Sequence, residues 1–62
     1  MNAYKLEWFL LIESTPFGRY IKSVMGGALG EVAKAKASDQ GLELVHIGGY
    51  GMPFHAGEQW KG

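Results

Sequence analysis

The chain has 62 residues, enough for one domain, and 47% of them are hydrophobic, a share that fits a folded domain and excludes a disordered one. It has no cysteine, which excludes disulfides and thiolate metal sites. Six basic and six acidic residues give a formal net charge of zero, without the basic excess of a nucleic-acid binder and with little repulsion between copies.

A domain this short buries only about 60% of the surface its unfolded chain exposes. Without a disulfide or an evident metal, it depends on oligomerisation or on very good packing. Met1 to Lys5 lacks the basic and apolar regions of an export signal. The longest apolar run, Trp8 to Ile12, is too short to cross a bilayer. The expected location is cytoplasmic, with no membrane contact.

Tyr4 to Glu13 reads as a strand, because Tyr4, Leu6, Trp8, Leu10 and Ile12 alternate onto one wholly apolar face. The other face carries Lys5, Glu7, Phe9, Leu11 and Glu13, polar at its ends and apolar at its centre. The wholly apolar face is expected to meet a helix. Phe9 and Leu11 are then left uncovered, so they are the expected oligomer interface.

Thr15 to Ser38 reads as one long amphipathic helix. Thr15 is a capping residue and Pro16 suits the first helical position. At 100° per residue, Phe17, Ile21, Val24, Met25, Ala28, Val32 and Ala35 share a face. Ile21 is expected to pack on Trp8. Gly26, Gly30, Ala33 and Ala37 form a small-residue stripe on the opposite side, open to a helix contact or to plain solvent. Gly26-Gly27 is either a break between two helices or an interior glycine pair; in a continuous helix, Gly27→Ala is expected to stabilise. Asp39-Gln40-Gly41 is the expected stop, with Gly41 left-handed.

Leu42 to Ile47 reads as a second strand, completing a βαβ unit with a parallel sheet. Gly48 to Gly62 has the glycine and aromatic content of a hairpin or loop, with room for a short third strand between Pro53 and Trp60. The expected fold is therefore α/β or α+β: one long helix on a two- or three-stranded sheet.

The chemical signals are sparse. Gly48-Gly49-Tyr50-Gly51 is followed by Met52-Pro53 and not by a helix, so it reads as a turn rather than a phosphate loop. His46 and His55 have no metal-ligand spacing, and no cofactor motif is present. Ser14, Ser23 and Ser38 lack a local base. Arg19 and Lys22 lie one turn apart on the expected helix, suited to an anion. Tyr50, Phe54 and Trp60 are the expected anchors for a protein partner.

The order strand, long helix, parallel strand and glycine-bearing hairpin resembles that of the small tautomerases of the oxalocrotonate type. The catalytic base of that family is an amino-terminal proline exposed when methionine is removed. Here Met1 precedes Asn2, and Pro16 and Pro53 are internal, so no activity carries over. The compact plan is also similar to that of short phage-encoded proteins that block a host machine. The favoured reading is a non-enzymatic protein-binding module, homo-oligomeric, of the phage or prophage accessory type that inhibits a host factor. The alternatives are a small oligomeric enzyme with an inter-subunit site using His46, His55 or Arg19, and a nucleic-acid binder using the aromatic tail.

Overall fold

A computed structural model of the chain describes residues 6–48 and 54–62. The order of elements is β1 (Leu6–Thr15), β2 (Gly18–Leu29), α1 (Gly30–Gln40) and β3 (Glu43–Gly48). The three strands form one sheet in the order β2-β1-β3, and both pairings are antiparallel. The class is thus α+β, with one helix packed on three strands. The parallel βαβ crossover is not formed, so the likeness to the tautomerase plan does not hold.

The long helix is the main correction. Only its last third is helical, and Gly18–Leu29 is strand. Thr15 and Pro16 open a hairpin in place of a helix. The Thr15 hydroxyl accepts the Phe17 N–H at 3.0 Å and donates to the Gly18 carbonyl at 2.9 Å. A threonine accepting an N–H two residues on serves a tight turn as well as a helix start. Proline's fixed φ likewise fits the first central position of a turn and the first turn of a helix.

Two irregularities in β2 account for the false helical spacing. Ile12 pairs with Ile21 and Leu11 with Ser23, so Lys22 is bulged out. Phe9 pairs with Met25 and Glu7 with Ala28, so Trp8 faces the two glycines Gly26 and Gly27. A bulge adds a residue and changes the interval between side chains of one face from two to three. Ile21 and Val24 both reach the core cluster for this reason. Met25 and Ala28, opposite Phe9 and Glu7, are also three apart. Apolar residues at 21, 24, 25 and 28 imitate a helix while lying in a strand.

The two faces of β1 are covered by different segments. Leu10 and Ile12 form the main core with Ile21, and Val24, Val45, Ile47, Phe54 and Trp60 pack around them. Phe9 and Leu11 lie on the other face and are buried with Ala33 and Ala37 of α1. The helix therefore covers the face expected to be open, and the carboxyl-terminal segment covers the face expected to meet the helix. Ile21 packs opposite Ile12, not on Trp8.

The small-residue stripe has a use inside the fold. Ala33 and Ala37, one turn apart, are the buried residues of α1, while Val32 is 52% exposed. The helix ends as expected at Gly41, with φ 66°. Leu42 N–H donates to Ala37 O at 2.8 Å and Gly41 N–H to Ser38 O at 3.3 Å, a Schellman closure. The chain then enters β3.

The tail is a short edge segment. Ile21 N–H donates to Glu58 O, Gly57 N–H to Ile21 O and Trp60 N–H to Arg19 O, each at 2.8 Å. These bonds close the outer edge of β2 at its hairpin end.

Two expectations follow. Ile21→Ala removes a fully buried side chain and is expected to cost about 2–5 kcal/mol in urea unfolding. Both glycines of the pair are expected to resist alanine, for different reasons. A Cβ on Gly26 would lie 2.5 Å from the Trp8 indole, an overpacking worth about 1–3 kcal/mol. Gly27 has open space but a φ of 62°, where a side chain costs about 1–2 kcal/mol. Trp8→Ala is expected to relieve the first penalty when paired with Gly26→Ala and to leave the second unchanged when paired with Gly27→Ala, which thermal melts of the single and double variants would resolve.

Candidate functional site

A groove of about 420 Å³ lies between the first turns of α1 and the sheet. Gly30, Glu31 and Lys34 form its helical wall, and Glu7, Phe9, Leu44 and His46 form its floor. The floor follows from the antiparallel register, which sets Phe9 opposite His46 and Leu11 opposite Leu44. Gly30 lies over the edge of the Phe9 ring, where a methyl group would touch it at 3.7 Å.

The polar centre of the groove is His46. Its Nε2 lies 2.8 Å from Glu7 Oε1, and its ring sits 5.1 Å from the Phe9 ring, centroid to centroid. A bond of this length to a carboxylate needs a hydrogen on Nε2, which leaves Nδ1 as the acceptor in a neutral ring. The Glu7 side chain is 17% exposed and that of His46 is 53% exposed. The pair is therefore half in water, and its net contribution to stability is small. Among the described residues, no group of three metal-ligating side chains converges, and no helix is long and apolar enough to cross a membrane.

A second feature is the tip of the β1–β2 hairpin. Phe17 is 84% exposed. Its N–H is held by Thr15, and its carbonyl accepts the Tyr20 hydroxyl at 3.4 Å. The backbone of the residue is thus held from both sides while its ring stands in solvent. The nearest charged side chain in sequence, Arg19, is engaged by Glu43, with Nε 3.1 Å from Oε1.

The residues singled out from sequence are not gathered into one place. Phe54 and Trp60 meet edge to face at 5.5 Å and close the main core. They are half-buried packing residues, not a free platform. Tyr50 lies outside the described residues, as does most of the glycine cluster. Phe9 and Leu11 lie beneath α1, so the open face assigned to them does not exist in the folded chain. Arg19 and Lys22 lie on β2 rather than on a helix, and Arg19 is paired. His55 sits in a turn, its N–H donating to Glu58 Oε1 at 2.6 Å.

Two features escaped the sequence reading. Glu7 and His46 are 39 positions apart, and only the antiparallel register brings them together. Helical spacing puts Phe17 on the apolar face shared with Ile21 and Val24. The signal that would have found it is Gly18, two residues after Pro16, which marks a turn. No family model matches the chain, and no curated protein or solved structure does so either.

A double-mutant cycle on Glu7→Gln and His46→Gln is expected to give a coupling below about 1 kcal/mol, read by urea unfolding. A larger value would mean that water is excluded from the groove.

Proposed function

We propose that the protein is a non-enzymatic protein-binding module that presents Phe17 as its anchor. The observation that carries this reading is the exposed ring on a backbone hydrogen-bonded on both sides. A large aromatic side chain at 84% exposure adds nothing to the core. Aromatic residues are favoured anchors at protein interfaces, and a backbone ordered beforehand lowers the entropy lost on binding. Pro16 beside it is also exposed and uncharged, so the tip suits an apolar pocket on a partner protein.

A second reading, acid–base catalysis, is favoured by one observation, the Glu7–His46 pair facing an open groove. Imidazole Nδ1 would take the proton, with the carboxylate supporting the charge that forms. Nitrophenyl acetate hydrolysis tests it. A rate no higher than that of free imidazole at equal concentration, unchanged in Glu7→Gln, removes this reading.

For the first reading, Phe17→Ala is expected to change stability by less than about 0.5 kcal/mol, as for other surface changes. A photoreactive phenylalanine analogue at position 17 is expected to crosslink to one partner, which the purified pair must then bind with at least about tenfold loss in Phe17→Ala. Thr15→Val removes both side-chain bonds of the turn and is expected to weaken binding and to cost about 1–2 kcal/mol of stability. Equal binding by wild type and Phe17→Ala would remove the tip from the interface.

A further inference from the structure

The arm that carries Phe17 reaches past the three-stranded part of the sheet. β3 pairs with β1 only from Trp8 to Ile12, whereas β2 follows β1 as far as the Thr15–Gly18 pair. Residues 13–20 therefore form a two-stranded ribbon, and none of them is buried. A lone two-stranded hairpin is marginal in water, and a third strand is what ordinarily steadies one. Resting on the reading of Phe17 as the anchor, we propose that residues 54–62 are a strap that supplies this strand, so that docking of the tail and seating of the tip in its partner are coupled.

The strap lies along the outer edge of β2. Trp60 N–H donates to Arg19 O, Ile21 N–H to Glu58 O, and Gly57 N–H to Ile21 O. Tyr20 and Gln59 face each other in an antiparallel bridge. The Gln59 side chain extends the contact to the residue beside Phe17, since a Cβ on Gly18 would come within 3.0 Å of its Nε2. Without a side chain at position 18, the strap reaches the foot of the tip. On its other flank the ribbon has the Arg19–Glu43 pair, whose side chains are 40% and 51% exposed, and a pair so exposed adds little.

The strap is itself lightly held. Phe54 and Trp60 pack half-buried on the main core, and the turn between them is closed by the His55 N–H on Glu58 Oε1 at 2.6 Å. None of residues 54–62 is buried. Segments with few buried contacts open at a lower free energy than the whole domain, in cooperative units. Ribbon and strap share their hydrogen bonds, so they form one such unit, with Leu10, Leu11 and Ile12 outside it. When the strap leaves, the ribbon falls back to two strands and Phe17 loses its fixed base. A partner that holds Phe17 orders the ribbon, and by linkage strengthens docking of the strap to the same extent. Gln59 and Trp60 are positioning residues in this scheme, acting through Phe17 without touching the partner.

A synthetic full-length chain with an ester in place of the Gln59–Trp60 amide deletes the N–H given to Arg19 and keeps both rings. Native-state hydrogen exchange at residues 17–20 is expected to quicken about fivefold, the factor set by one backbone bond of ordinary net strength. Val45→Ala, which thins the core from β3, is expected to quicken exchange at Leu10 and Leu11 and to leave residues 17–20 unchanged. If residues 17–20 respond to Val45→Ala as Leu10 does, the ribbon opens only with the whole domain and the inference is overturned. Unchanged exchange at residues 17–20 in the ester overturns it too. With the partner identified by crosslinking from position 17, the ester is expected to weaken binding about fivefold in the parent chain and not at all in Phe17→Ala. Equal weakening in both places the tail against the partner and overturns the positioning role. The exchange measurements need no partner, so a quickened ribbon with equal binding by parent and Phe17→Ala keeps the strap and removes the anchor.

Discussion

The fold depends on β1 being apolar on both faces. Phe9, Leu10, Leu11 and Ile12 are four consecutive buried residues, and consecutive strand residues point to opposite sides. A strand of this kind must be central and must be covered twice. A chain of 62 residues has little to cover it with. It solves the problem with one helix of 11 residues on one face and two aromatic rings of the tail on the other. The pairing of β1 with both β2 and β3 follows from the same demand, since only a middle strand is buried along its whole centre.

The choice of side chains on the two covers is matched to the strand beneath. Phe9 and Leu11 are bulky, so the helix above them presents Ala33 and Ala37 and lies close to the sheet. On the far face the cover is an irregular segment with few residues, so it must be bulky itself, and Phe54 and Trp60 fill the space over Leu10, Ile12 and Ile21. Trp8 and Gly26 repeat the rule at the open end of the sheet, where a large ring occupies the place of a missing side chain. Large against small thus recurs beneath the helix and at Trp8, while the far face is filled by large against large.

Much of this was legible in the sequence, but the pieces were assigned to the wrong neighbours. The first strand, its two faces, the strand after Gly41, the Gly41 stop and the α+β class were readable from alternation and turn chemistry, while the third strand expected between Pro53 and Trp60 is only a bridge from Gln59 to Tyr20. The small-residue stripe was also visible, and its use against the sheet was not, because alanine on the buried side of α1 gives that helix almost no amphipathic pattern. The helical reading of residues 17–29 failed for a definite reason. Bulges at Lys22 and at Gly26–Gly27 move same-face residues from an interval of two to one of three. Periodicity rules assume a regular element, and β2 is regular over only a few residues at a time. The Glu7–His46 contact was beyond reach for a different reason. It exists only once β1 and β3 are paired in antiparallel register, and the expected parallel register sets other residues side by side.

The surfaces that remain follow from the same shortage of chain. The tail is used on the far face and again on the β2 edge, through the bonds at Arg19 and Ile21. The helix is used on the near face and, being short, leaves its amino-terminal end over an open groove. No further described element is left to cover β3. An edge strand left open in this way is normally guarded by its own charges. Here its two polar side chains, Glu43 and His46, are turned inward over the sheet to Arg19 and Glu7, in partly exposed pairs that contribute little to stability. Turned inward in this way, and with a bulge at Ile47, the strand keeps its edge guarded without an outward charge.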